Sequence, residues 1–272
     1  MYLFSFVLIF LLGTIIGSFL NVVIYRCNTG KSIAKGRSIC MSCNHTLRFY
    51  ELIPVFSFIF QKGKCRRCSS SISFQYPIVE MVTGFVFVLL AFYFLPFLWF
   101  SVPLYIVNLS LFSVLFCFLI IICAYDIRHK IIPDVFSYSF AGIAFVTLFI
   151  NHTALGNMFV LPGIEALLAG PLCALPFYLL WKISGGRWMG LGDAKLMLGI
   201  GWMLGLGSGF VALVFSFWIG AIFGLLLMLY KGRSTTLKTE IPFAPFLIIS
   251  TTLVFFCSIS LLSFILFFQR LY

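Results

Sequence analysis

Phe116-Cys117-Phe118-Leu119-Ile120-Ile121-Ile122-Cys123-Ala124-Tyr125-Asp126-Ile127-Arg128-His129-Lys130 is an apolar run that ends on one carboxylate and a basic cluster. Extended back to residue 103, the run is long enough for a membrane-crossing helix. An acid at the edge of a bilayer is costly to place, so Asp126 asks for a chemical reason. The rest of the chain repeats the pattern. It is 62% hydrophobic and 9% charged, with a mean hydropathy of +1.14. No water-soluble domain has that balance, which predicts an all-α polytopic membrane protein with lipid as its surroundings.

Apolar segments run over residues 2–25, 78–100, 103–125, 132–150, 161–181, 196–207, 209–230 and 243–267. The first lacks a basic n-region and is followed by positive charge, so it reads as a retained helix rather than a cleaved signal. Nine Lys or Arg fall between Arg26 and Arg67, and Arg128 and Lys130 add two. Lys182, Arg187 and Lys195 make a third group, Lys231, Arg233 and Lys238 a fourth, and only Arg270 stands apart. The positive-inside rule then puts all four basic loops in the cytoplasm and both termini outside. That placement accounts for the net charge of +11 without a nucleic-acid partner.

Residues 196–230 would make one helix of roughly 50 Å, against a hydrocarbon core of ~30 Å. Both flanks are basic, so a turn is predicted at Gly205, Gly207 and Gly209. About eight transmembrane helices result. The expected division is a first transmembrane helix at 1–25, a cytoplasmic domain at 26–77 and a membrane-embedded domain at 78–272.

The loop 26–77 is too short to bury much core and needs a staple. Cys40-Met41-Ser42-Cys43 and Cys65-Arg66-Arg67-Cys68 are two C-x-x-C pairs separated by 21 residues. Four thiolates at that spacing suit a tetrahedral, structural zinc, and a reducing compartment disfavours two disulfides. A redox pair or a chance scatter of cysteines is the other reading.

Asp193 in Gly190-Leu191-Gly192-Asp193-Ala194-Lys195 is the counterpart of Asp126, and the chain holds only seven acids. The two lie at similar depth near the cytoplasmic surface. A pair of aspartates can share a proton, one acting as base toward water and the other as acid toward a scissile amide. The bland alternative is that each caps a helix or pairs with Arg128 or Lys195. Asp134, after Pro133, reads as a helix N-cap. Glu51 and Glu80 read first as salt-bridge partners of nearby bases, and either is also able to bind a cationic group. Gly17-Ser18 followed by Asn21 reads first as helix packing.

At these residues the chain resembles the type IV prepilin peptidases, the bifunctional leader peptidase and N-methyltransferase family. The motifs are Gly17-Ser18-Phe19-Leu20-Asn21-Val22-Val23-Ile24-Tyr25-Arg26, both C-x-x-C pairs, and Tyr76-Pro77-Ile78-Val79-Glu80. After them come Tyr125-Asp126 with Ile132-Pro133-Asp134, then Gly190 to Leu196, then Glu240-Ile241-Pro242-Phe243-Ala244-Pro245-Phe246-Leu247. Any one is weak, but six in order are specific. The resemblance implies that Asp126 and Asp193 are the catalytic aspartates of a G-x-G-D membrane protease, and that Cys40, Cys43, Cys65 and Cys68 shape the cytoplasmic domain.

It further implies prepilin and pseudopilin substrates with basic leaders, cut at the cytoplasmic face of a bacterial inner membrane for pilus assembly or secretion. Methylation of the new N-terminus by S-adenosylmethionine would follow, with Glu51 and Glu80 as candidates for holding the methyl donor or the substrate amine. Ala244 departs from the family's usual glycine, which matters only if the backbone there needs positive φ. A peptidase without methylation, a transporter and a non-catalytic assembly protein are the competing readings. A transporter would place its acids nearer the bilayer midplane.

Overall fold

In a computed structural model the described residues are 2–30, 32–33, 35–150, 158–231 and 241–269. Lys31, Arg233, Lys238, Glu240 and Arg270 of the sequence reading lie outside them. The chain is mostly helical, and the described residues hold isolated β-bridges but no strand. Five helices are long and apolar enough to cross a membrane: α1 (Tyr2–Arg26), α3 (Gln75–Tyr93), α5 (Val102–His129), α7 (Ile164–Ser184) and α9 (Leu206–Lys231). Three shorter ones, α6 (Asp134–Thr147), α8 (Leu191–Leu204) and α10 (Ala244–Phe256), fall on the other predicted apolar segments. Two elements of four or five residues, α2 (Phe56–Phe60) and α4 (Leu95–Leu98), and a C-terminal α11 (Leu261–Gln269) complete the set.

The helix ends follow local chemistry. The long segment 196–230 does break, at Gly205, whose φ of 81° serves a residue without Cβ. Pro96 cuts 78–100 into α3 and α4, since it cannot continue the hydrogen-bond ladder. The last segment, 243–267, is also two helices rather than one. The chain turns at Cys257–Ser260 with Ser258 at a φ of 50°. Asp134 is not an N-cap as expected, because Pro133 holds that position in extended conformation and Asp134 is the first helical residue. Glu165 lies in the first turn of α7, where a negative charge complements the helix dipole.

The chain forms two compact units, Met1–Ala124 and Tyr125–Tyr272, with α5 running through the boundary. In the first, α1 and α3 lie directly against one another. A Cβ on Gly13 would come 2.8 Å from Gly84 Cα, and one on Gly17 would come 2.8 Å from Glu80 Cα. Gly13 and Gly17 are one turn apart, so the contact is a small-xxx-small seam, which brings backbones close in a lipid environment. Asn21, the next turn on, donates its amide to Tyr76 O at 3.1 Å, and Tyr25 stacks on Tyr76 at 4.8 Å. The expected packing role of Gly17 and Asn21 is what the helix pair displays.

In the second unit α8 is the central helix, packed on α6, α7, α9 and α10. That demands small residues on several faces. A Cβ at Gly201 would lie 2.6 Å from Ala169 O, and one at Gly199 2.5 Å from Phe140 Cδ1. Trp202 fixes the α7–α8 register by donating to Leu167 O at 3.0 Å.

Candidate active site

The second unit draws two acids inward. Asp126 is near the end of α5 and Asp193 is the third residue of α8, and both side chains are buried. They are close enough for the charge of one to act on the other. Each also meets the start of a helix. The backbone N–H of Ala244, first residue of α10, lies beside Asp126, and that of Gly190, the N-cap of α8, lies beside Asp193. First-turn N–H groups lack intrahelical partners and carry the positive end of the dipole, so two helix starts receive two buried carboxylates. Among the described residues Asp126 Oδ2 is a buried acceptor with no hydrogen-bond partner. A buried acceptor without a donor is expensive in a structural role.

The ion pair expected between Asp193 and Lys195 does not form. Lys195 turns away from Asp193 and bonds Asp134 Oδ1 at 2.7 Å, its ammonium also lying 5.1 Å from the centre of the Tyr138 ring. This pair ties α8 to α6 and leaves Asp193 to the site. Gly192 fits against Ile132, where a Cβ would come 2.9 Å from Ile132 Cβ. Tyr125, buried beside Asp126, packs on His129 at 4.4 Å. Sequence reasoning missed the Ala244 N–H beside Asp126. Pro245 at the second helical position was the available signal, since proline there marks a helix start with free N–H groups. Ala244 is helical and not at positive φ, so its departure from glycine brings no backbone strain.

The first unit holds the other predicted residues. Cys40, Cys43, Cys65 and Cys68 have all four sulfurs within 4.8 Å of one another. Bonds of ~2.3 Å to a tetrahedral zinc give sulfur–sulfur edges of roughly 3.8 Å, and Cys40 Sγ and Cys68 Sγ stand 3.8 Å apart. The two knuckles are backbone copies. Cys40 N–H donates to His45 O and Cys65 N–H to Ser70 O, both at 2.9 Å. Asn44 and Ser69, each four residues after the first cysteine of its pair, both take positive φ. Single bridges, Ile39 to Thr46 and Lys64 to Ser71, close the loops. Hydrogen bonding favours the thiolate at two of the four: the backbone N–H of Cys43 draws the Cys40 thiol down to about 6, and the Ser70 hydroxyl holds Cys68 below the ordinary thiol value, while burial and the neighbouring sulfurs push Cys43 up to about 11. The donor set fits a closed, structural zinc.

Glu51 and Glu80 are both buried, and among the described residues neither forms an ion pair with a Lys or Arg side chain. Glu51 Oε2 accepts the Arg48 N–H at 2.8 Å, with His45 Nε2 at 4.0 Å. Glu80 Oε2 accepts the Val55 N–H at 2.7 Å, with the Ser18 side chain beside the carboxylate. The expected surface salt bridges are thus replaced by acceptance of backbone N–H groups. The two acids grip opposite ends of the segment 48–55.

Two family models match the chain: the bacterial peptidase A24 N-terminal domain over residues 11–94 and the type IV leader peptidase family over 113–225. A prepilin leader peptidase/N-methyltransferase of Bacillus subtilis (strain 168) is 32% identical over 94% of this chain and 96% of its own length. Proteins of the same description are 30% identical in Xanthomonas campestris pv. campestris, over 90% of this chain and 88% of theirs, and 29% identical in Vibrio cholerae serotype O1, over 92% and 96%. No solved structure matches.

Proposed function

The chain belongs to the type IV leader peptidase family, and from that premise we propose how its residues work. It is a prepilin leader peptidase and N-methyltransferase. Asp126 and Asp193 are its proteolytic pair. One carboxylate takes a proton from a water molecule, which attacks the scissile carbonyl, while the other, as carboxylic acid, gives a proton to the leaving amine. Water is the nucleophile, so no covalent enzyme intermediate forms. The observation that carries this reading is the pair of buried acids at two helix starts, with Asp126 Oδ2 left unpartnered.

The substrates are prepilins and pseudopilins of pilus assembly or secretion, whose basic leaders reach the cytoplasmic face of a bacterial inner membrane. Eight crossings with both termini outside place the basic loops and the aspartates there, which the charge asymmetry supports. Residues 1–25 form the first membrane helix, 26–77 the cytoplasmic zinc domain and 78–272 the membrane-embedded peptidase. Zinc on Cys40, Cys43, Cys65 and Cys68 is structural. S-adenosylmethionine supplies the methyl group when bound. Glu51 and Glu80, two buried acids that among the described residues pair with no Lys or Arg side chain, suit a cationic group and would hold that donor or the new N-terminal amine.

Cleavage of a synthetic prepilin by the solubilised protein, read by mass spectrometry, tests the pair. Wild type should cut and then add one methyl group only when S-adenosylmethionine is present. Folded Asp126→Asn and Asp193→Asn should do neither. Cleavage by either folded variant would remove the aspartates from the mechanism.

A further inference from the structure

The segment between the two cysteine pairs presents an apolar face that neither catalysis nor zinc uses. Phe56, Ile59 and Phe60, at helical spacing on α2, are 54%, 61% and 77% exposed. In water such a cluster is a liability or an interaction site. Its position is set by two contacts with α3. Phe58 packs on Phe74 at 5.2 Å, and the Val55 N–H, which opens α2, is held by Glu80 Oε2. Phe74 and Glu80 are six residues apart, roughly 9 Å of helix rise, so α2 lies beside the first turns of a membrane-crossing helix.

The outer face of that helix continues the patch. Ile78, Val82, Phe85, Leu89 and Phe92 are all exposed and follow one another at spacings of four and three. They form the stripe α3 turns to lipid, and Phe74, also exposed, stands one turn before Ile78 on the same line. Exposed apolar side chains therefore line both the outer face of the span, Phe74 included, and the side of α2 opposite Phe58, which itself packs on Phe74. Four exposed bases, Lys62, Lys64, Arg66 and Arg67, follow α2 directly. Aromatic and aliphatic side chains bordered by bases are the chemistry of an element lying in the headgroup layer of an anionic leaflet.

We propose that α2 is an interfacial wedge, sunk through Phe56, Ile59 and Phe60 into the anionic leaflet beside α3, which seats the cysteine loop on the bilayer. The requirements of lipid explain Glu80 in part. Val55 has a φ of 62°, unusual for a β-branched residue, and its N–H would face hydrocarbon unpaired without that carboxylate. The inference depends on neither the peptidase nor the methyltransferase assignment.

The test places p-benzoylphenylalanine at Phe60 in the full chain, in nanodiscs containing phosphatidylglycerol, with the same probe at Phe85 as the lipid-facing reference. Irradiation and mass spectrometry should give acyl-chain adducts at both positions. Ile59→Asp should cut the Phe60 adduct roughly fivefold and spare Phe85, and phosphatidylcholine alone should lower Phe60 but not Phe85. A Phe60 probe that yields no lipid adduct, or instead crosslinks a second copy or added prepilin, overturns the proposal. So does a Phe60 adduct unmoved by both the aspartate and the lipid change.

Discussion

The cysteine loop and the aspartate pair are built by opposite routes. The four sulfurs come from two short turns of identical backbone pattern, each closed by its own hydrogen bonds within seven residues. The carboxylates come from helices 67 residues apart in the chain and meet a third helix start, at Ala244. One site is local, its two halves grouped so that a metal would join them. The other is non-local and needs helix packing correct to a fraction of an ångström. Local sites tolerate distant change, while a site assembled from helix ends inherits every error in their packing.

The sharpest break between the two is chemical. Asp193→Asn should lower leader cleavage by roughly 10³-fold, in the range lost when an acid–base group is removed, with zinc content unchanged by elemental analysis. Cys65→Ser should do the reverse. Zinc should fall below one per chain, and limited proteolysis should open residues 36–72, because closed structural zinc contributes on the order of 10 kcal/mol to such small folds. Acidification should act in the same direction. The Cys40 thiol sits below its ordinary value even without metal, and bound zinc competes with protons for all four sulfurs, so the thiolate's contribution is kept at neutral and higher pH and is lost only on acidification. Zinc release measured as pH is lowered, with retention at neutral and higher pH, checks the sign.

How much of this was legible depends on distance along the chain. Two C-x-x-C pairs announce themselves because four ligands and both turns lie in one short stretch. The break at Gly205 was readable from length alone, since one helix of that span cannot fit the bilayer. The division of 243–267 was not, because Cys257-Ser258 holds neither glycine nor proline and an ordinary residue takes the positive φ there. Asp126 and Asp193 could be singled out by their scarcity and flanks. The backbone N–H groups beside them, of Ala244 and Gly190, could not, because a backbone donor has no side-chain signature. The Asp134 misreading has a similar root. Proline and aspartate both favour helix starts, and Pro133 occupied the cap first.

Packing errors give the next effects. Gly201→Leu should destabilise the protein by at least ~1–3 kcal/mol, the usual penalty for overpacking, because its Cβ must displace the Ala169 carbonyl and Gly170 Cα. Thermal unfolding in detergent should register the loss, and cleavage should fall with zinc still bound. The smallest effect belongs to the ion pair that competes with the site only on paper. The Asp134 side chain is 63% exposed, so Asp134→Asn should cost no more than ~1 kcal/mol. Cleavage that stays within roughly twofold of wild type would separate this aspartate from the other two, and a large loss would bring it into the mechanism.

The glycine seam of α1 and α3 also has a consequence in time. Both partners of that seam, with the loop between them, are finished when residue 93 has been made. At 5–20 residues per second, the remaining ~180 residues occupy the ribosome for roughly 10–35 s more. The later helices enter the bilayer during that interval, and the hairpin's closest contacts, Gly13 on Gly84 and Gly17 on Glu80, need none of them. The N-terminal unit is thereby suited to insert and close as an early biosynthetic intermediate, before either aspartate has left the exit tunnel.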